Sequence, residues 1–295
     1  PAGKYTQADI DEWREGLAKD PNGMDNPYGV PNYLAYPSTQ WVDELFLSTT
    51  SQKHNVSVVG SSENTNYLLS FGYLDNPGTL KNTGLKNYSG RINIETQITK
   101  FLKVGTQTYA TFQTREPGNT SFTYMYQNTP AVTPYHDGKY GVSVDGASTS
   151  NLLADVMSRG GSYDDTRLNT TWYAKVNILD GLTAEARFNY QTLFNETATY
   201  SRKVDKQNFR TGEIIPGVSS STATTSRATT RYQNHTNTAT INYAKTFGKH
   251  DISILLGTEQ YYWNVKGFSA TRTGLLDLDL PDFTAALDLL DPTLG

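Results

Sequence analysis

Residues 54–114 read HNVSVVGSSENTNYLLSFGYLDNPGTLKNTGLKNYSGRINIETQITKFLKVGTQTYATFQT, and this stretch decides the fold. It contains four extended runs joined alternately by a very short and a longer polar link. In the second run Tyr67, Leu69, Phe71 and Tyr73 share one face, while Asn66, Ser70 and Gly72 take the other, with Leu68 as an exception. In the third, Ile92, Ile94 and Ile98 oppose Arg91, Asn93, Glu95 and Gln97; in the fourth, Leu102, Val104, Ala110 and Phe112 oppose Lys103, Gln107, Thr111 and Gln113. A period of two with one apolar and one polar face is the signature of β-strands. The runs exceed the usual strand of about five or six residues and match the roughly 9–11 that a tilted strand needs to cross a bilayer. Together these features predict an all-β fold, a segment of a membrane β-barrel with its apolar side to lipid and its polar side to a wet lumen.

Composition agrees with that fold and excludes others. A mean hydropathy of −0.56 and 36% hydrophobic residues rule out a helical membrane protein, since no window nears the roughly 18 apolar residues of a spanning helix. The 20 tyrosines against 11 phenylalanines and 4 tryptophans suit interfacial girdles and ligand-stacking loops. A net charge of −4 without a basic block argues against nucleic acid. With no cysteine, disulfide frameworks and thiolate metal sites are impossible. The chain starts at Pro1 and ends DLLDPTLG; it is read as an internal piece of a longer protein.

Working outward, Thr6–Lys19 predicts a helix, with Thr6 and Asp9 as a capping box and Ile10, Trp13 and Leu17 on one face. Residues 25–36, rich in Pro, Asn and Tyr, read as irregular, and Trp41–Phe46 as a short amphipathic segment. Strands are expected at about 53–60, 65–74, 87–98, 101–114, 166–178, 182–194, 231–246 and 250–265. The eighth, DISILLGTEQYYW, alternates least cleanly, so its facing stays open. Tight hairpins fall at Ser61–Asn64, Thr99–Lys100, Leu179–Gly181 and Gly248–Lys249, with long links at about 75–86, 115–165, 195–230 and 266–295. Short turns on one side and long loops on the other is the layout of outer-membrane barrels, the short side periplasmic. Aromatic residues at strand ends fit two girdles: Phe101 and Phe247 near short turns, Tyr73, Phe194 and Tyr261 near long links. The expected division is an extracellular loop region with a short helix at 1–52, about eight barrel strands over 53–265, and an extracellular loop at 266–295. Eight strands do not close the polar lumen implied, so further strands are expected on both sides.

At Trp41-Val42-Asp43-Glu44-Leu45-Phe46, His54-Asn55-Val56-Ser57-Val58-Val59-Gly60, Asn66-Tyr67, Gly72-Tyr73-Leu74-Asp75, Gly78 and Tyr88-Ser89-Gly90-Arg91-Ile92-Asn93, the chain resembles the SusC/RagA family of TonB-dependent outer-membrane transporters. Order and spacing both match the family pattern. Thr129-Pro130, Pro134-Tyr135, Asp137-Gly138 and Tyr140-Gly141 resemble the loop that follows. Ser61 departs from the pattern where a second Gly is usual, and Asn87 where Arg is frequent. The resemblance implies a plugged barrel of about 22 strands in the outer membrane of a Gram-negative cell. It implies import of oligosaccharides or oligopeptides, driven by the TonB complex through an N-terminal region absent from these residues, under a SusD-like lipoprotein lid.

No catalytic constellation is present, so no enzyme activity and no cofactor is expected. The histidines His54, His136, His235 and His250 are dispersed, and the acidic tract Asp277, Asp279, Asp282, Asp288 and Asp291 lacks the glycine and terminal Glu of a calcium loop; no metal is expected. The candidates for substrate contact lie in one long link: Tyr124, Tyr126, Gln127, Asn128, Tyr135, His136, Asp137 and Tyr140. Rings stack on sugar faces or peptide apolar groups while amides and carboxylates fix orientation. Lumen-facing Arg91, Glu95, Lys103, Glu185 and Arg187 are expected to pair across strands or hold a plug. The alternatives are a passive porin or barrel adhesin, and a soluble all-β carbohydrate-binding module whose apolar strand faces bury against a second sheet.

Overall fold

The computed structural model describes residues 6–118, 122–146, 148–202, 204–216 and 223–274. In chain order the elements are α1 (Gln7–Leu17), α2 (Asn32–Ala35), α3 (Trp41–Leu45), β1 (Gln52–Ser61), β2 (Thr65–Pro77), β3 (Thr83–Gln97), β4 (Leu102–Pro117), α4 (Phe122–Gln127), β5 (Tyr135–His136), β6 (Lys139–Gly141), α5 (Leu152–Met157), β7 (Arg159–Leu179), β8 (Leu182–Ser201), β9 (Lys206–Gln207), β10 (Ile214–Ile215), β11 (Thr224–Phe247) and β12 (His250–Thr273). Eight of these form one sheet in the order β1-β2-β3-β4-β7-β8-β11-β12, antiparallel throughout. Each strand lies beside the one that precedes it in the sheet, the up-and-down order of a barrel wall.

Register places the predicted faces together. One row runs Leu102, Val176, Ala184, Ile241, Leu256 across five strands; another runs Tyr73, Tyr88, Phe112. Nothing covers this apolar side among the described residues. Phe71 is 56% exposed, Ile92 45% and Leu256 67%, as expected of a face made for acyl chains rather than for a second sheet. No helix is long and apolar enough to cross a membrane. The tight Gly248–Lys249 hairpin depends on Gly248, whose φ of 63° lies in the left-handed region that glycine adopts at no steric cost.

The eighth strand, ambiguous in sequence, resolves by register: Ile252, Ile254, Leu256 and Tyr262 join the apolar face, and Leu255, Tyr261 and Trp263 the polar one.

Strand boundaries at the short turns match expectation; those at the long links do not. β3 begins at Thr83, β7 at Arg159, and β11 at Thr224, while β8 reaches Ser201 and β12 Thr273. The 75–86 link shrinks to residues 78–82, and the first part of 266–295 is strand; the rest of it, with the acidic tract, lies outside the described residues. The reason is physical. Beyond a bilayer both faces of a strand meet water, so alternation fades while backbone pairing with the neighbour continues. Strand length therefore climbs across the sheet, from 10 residues in β1 through 16 in β4 to 24 in β11 and β12.

At the long-link end the connections build a compact head. α1 carries both arms of the predicted capping box: Asp9 N donates to Thr6 Oγ1 at 3.2 Å and Thr6 N to Asp9 Oδ2 at 2.7 Å. The 25–36 stretch is not wholly irregular, since Asn32–Ala35 form the single turn α2. Trp41, Leu45, Met125, Val132, Leu152, Leu153 and Val156 make the core, with Phe46, Leu80 and Tyr140 packed on it. A small sheet of order β10-β9-β6-β5 completes the head. The β2–β3 link ties head to wall, through the Phe46–Leu80 bridge and Asn82 Nδ2, which donates to Val156 O at 3.2 Å and Arg159 O at 2.7 Å.

Candidate functional site

The head is held by polar hubs as much as by its small core. Asn151 is fully buried. Its Nδ2 donates to Gly141 O and Pro134 O, both at 2.9 Å, and its Oδ1 accepts from Ala154 N at 3.0 Å, capping α5. Gly141 cannot be larger, because a Cβ there would lie 2.2 Å from Thr133 O. Arg210 joins the β9–β10 segment to the N-terminal stretch. It donates to Ala35 O at 2.6 Å and to the Tyr28 hydroxyl at 3.1 Å, and its guanidinium lies 4.4 Å from the Tyr28 ring centre and 5.0 Å from that of Tyr36. Burial raises the pKa of both tyrosines. Beside this clamp α1 and the loop core enclose a cleft of about 270 Å³, with Ile10, Trp13, Pro130 and Val144 as apolar lining and Asp9 and Glu12 at its edge.

The sequence candidates separate into two sets. Tyr135, His136 and Tyr140 come together on the β5–β6 hairpin, Tyr135 and Tyr140 with ring centres 4.9 Å apart. Asp137 sits in its turn, at φ 47°, with Gly138 at 79°; both central residues are left-handed, as a two-residue hairpin of this type requires. His136 packs edge-on between Tyr33, at 5.7 Å, and Phe209, at 5.6 Å. Tyr140 is half-buried and burial raises its pKa. Tyr126 and Gln127 stand apart at the end of α4, Tyr126 83% exposed, and Asn128 follows with Oδ1 turned back to Thr129 N at 3.1 Å. Tyr124 lies on α4 with its side chain outside the described residues. None of the eight lines the α1 cleft. Reading by residue type missed Tyr28, Tyr33, Tyr36, Phe209 and Arg210; the signal available was the run NPYGVPNYLAYP, whose tyrosines recur too densely for a plain linker.

The polar side of the sheet is knit to itself. Glu95 accepts from Lys103 Nζ at 2.9 Å and from the Tyr173 hydroxyl at 2.8 Å. Gly105 makes the second bond possible, since a Cβ there would meet the Tyr173 ring at 2.3 Å. Arg187 lies over Tyr173 at 5.1 Å and pairs with Glu185; Arg91 lies over Tyr109 at 5.3 Å. Asn189 Nδ2 donates to Asn169 Oδ1 and Thr171 Oγ1, both at 2.8 Å. Of the charges expected to pair across strands, Glu95 and Lys103 do so, whereas Glu185 and Arg187 pair along β8 and Arg91 lies on a neighbouring ring. The histidines stay apart: His54 stacks on Tyr73, His235 on Tyr262, and His250 sits by the last hairpin turn. Among the described residues no cluster of side chains could hold a metal ion.

No family model matches the chain. It is 26% identical to TonB-dependent receptor P3 of Formosa agariphila over 82% of its own length and 25% of that receptor. It is 31% identical to TonB-dependent receptor SusC of Bacteroides thetaiotaomicron over 22% of its length and 6% of that receptor. The chain thus spans a quarter or less of these curated relatives. In fold it matches the RagAB peptide importer in its "open-open" state with a TM-score of 0.66, at 20% identity, covering 97% of this chain and 33% of that one. The "closed-closed" state gives 0.65 at 21% identity, covering 85% and 28%. These relatives are receptors and importers rather than enzymes. By sequence the chain is similar to TonB-dependent receptors, SusC among them, and the wall that the sequence builds has the fold of the RagAB importer's barrel.

Proposed function

We propose that this chain is part of the wall and outer head of an outer-membrane importer of oligosaccharides or oligopeptides, energised by TonB and working with a SusD-like lipoprotein. The observation that carries this reading is an open apolar face backed by a polar face with its own cross-strand bonds, in one sheet of eight strands. Such a wall is stable only between lipid and a wet interior. On this reading the short turns are periplasmic and residues 1–52, with the long links, form the extracellular head. Tyr126, Gln127 and Asn128 at the end of α4, with Tyr124, and Tyr135, His136, Asp137 and Tyr140 on the β5–β6 hairpin, offer rings and polar groups to the cargo or the lid.

The test is uptake of labelled oligosaccharides and oligopeptides by cells carrying the intact receptor, with and without TonB. Saturable uptake that vanishes without TonB is expected, and Tyr126→Ala should weaken it about three- to tenfold, the worth of one stacked ring. Uptake that persists unchanged without TonB would instead fit a passive porin and overturn the proposal.

A further inference from the structure

On the apolar face, β11 and β12 change character steadily away from their short turn. The register pairs run Tyr243–Ile254, Ile241–Leu256, Ala239–Thr258, Asn237–Gln260, His235–Tyr262, Gln233–Asn264 and then Arg231–Lys266. His235 and Tyr262 stack at 4.9 Å. From the Phe247–His250 pair to this ring pair is 12 residues of strand, or about 40 Å along the chain and about 30 Å of height at a tilt near 40°. That is about the hydrocarbon thickness of a bilayer, so the ring pair marks its edge. Arg231 and Lys266 stand four residues further out, roughly 10 Å higher, where their long side chains reach the headgroup layer.

Two cations directly opposite on one face of a sheet repel each other. Both are exposed, Lys266 on β12 at the edge of the described sheet, and among the described residues neither forms an ion pair. Arg231 does reach the neutral Tyr190 hydroxyl. On β8 the acid of this face, Glu196, stands one rung further out against Thr229, with Asp164 as its own opposite number. Phe194 faces Arg231 from β8, and Phe268, 68% exposed, follows Lys266. A cation pair bordered by rings, separated from the apolar band by the amide rungs Asn237–Gln260 and Gln233–Asn264 and the His235–Tyr262 ring pair, is complementary to a phosphorylated headgroup with acyl chains below. The guanidinium fork takes phosphate oxygens in pairs and the ammonium adds a point charge.

We infer that Arg231 and Lys266 hold the phosphate of an outer-leaflet glycolipid against this flank of the wall. The inference rests on the membrane placement proposed above, but not on transport. The test uses the intact receptor in detergent, with native mass spectrometry reading bound lipid after titration with lipid A or with the same lipid A stripped of phosphate. Each cation near a membrane surface contributes roughly a fivefold gain, so Arg231→Gln with Lys266→Gln should weaken lipid A binding about thirtyfold. Binding of the stripped lipid should not change, and Arg231→Lys alone should retain most of the affinity. Inorganic phosphate at the same concentrations should leave the lipid in place. Heat-modifiable gel mobility checks that each variant is a folded barrel. Equal binding of phosphorylated and stripped lipid by the unaltered receptor, or unchanged lipid A binding by the folded double variant, would overturn the inference. Loss of the lipid with TonB-driven uptake intact removes this inference alone, and loss of uptake with the lipid still bound removes only the importer reading.

Discussion

Replacing Asn151 tests whether the head is held by polar hubs. The amide is fully buried, with Nδ2 donating to two carbonyls at 2.9 Å and Oδ1 accepting from Ala154 N at 3.0 Å. Asn151→Ala loses the cap of α5, worth about 1 kcal/mol, and strands two carbonyls, each costing about 1 kcal/mol or more in a buried site. The head should lose about 3 kcal/mol against local opening. Asn151→Asp is the sharper probe, because it keeps the cap and the shape but turns a donor into an acceptor facing carbonyl oxygens. A carboxylate there is disfavoured, so its folded-state pKa rises above the usual value near 4. The head of this variant should be weakest at neutral pH and should recover as pH falls through that raised value and the acid protonates. Hydrogen exchange of residues 131–157 in the intact receptor, corrected for intrinsic rates, measures the opening. If Asn151→Asp protected these amides as well as the unaltered chain at pH 7, the hub would be an incidental contact and the reasoning would fail.

Three further outcomes follow from the same structure. Ile92→Arg, in mid-band on the apolar face, should cost the barrel about 2–4 kcal/mol in refolding titrations into lipid vesicles, whereas Asn93→Arg, one residue along and facing the other way, should cost much less. Gly141→Ala should open the β5–β6 hairpin and its neighbours, seen as lost exchange protection over 131–144, because its Cβ would meet Thr133 O at 2.2 Å. Burial lowers the pKa of Lys206 from its ordinary 10.5; the penalty is full below the lowered value and fades as pH rises from there toward 10.5. Burial outweighs the attraction of Asp155, whose Oδ1 lies 3.9 Å from Lys206 Nζ, so the head should gain stability with rising pH up to the onset of tyrosine ionisation near 10, and Lys206→Met should abolish that dependence.

The wall was legible because lipid imposes a strict rule on sequence. Wherever Ile92, Ile94, Val104 and Val176 face acyl chains, their neighbours must face water, and the pattern of two declares the strand. Beyond the girdles the rule lapses. Residues such as Ser162, Thr197 and Ser269 pair in register without full burial, so nothing in their order distinguishes strand from loop. The head was less legible for another reason. Its core draws Trp41, Met125, Val132 and Val156 from segments far apart in the chain, and its hubs are single polar residues. Asn151 and Arg210 carry no periodic signal; only the fold reveals what they join. The candidate tyrosines were chosen by chemistry alone, which found the β5–β6 hairpin but not the partners Tyr33 and Phe209 that fix His136.

The climb in strand length from 10 residues in β1 to 24 in β12 leaves the rim of this wall uneven. At about 3.3 Å per residue and a tilt near 40°, the difference amounts to roughly 35 Å of height. One flank is a tall screen and the other a sill, and the bridge between Phe46 and Leu80 fastens the head on the sill side. For an importer the consequence is directional. On the proposed importer reading, a lid over such a rim would meet the tall screen on one side and open space on the other, and cargo would enter across the low threshold.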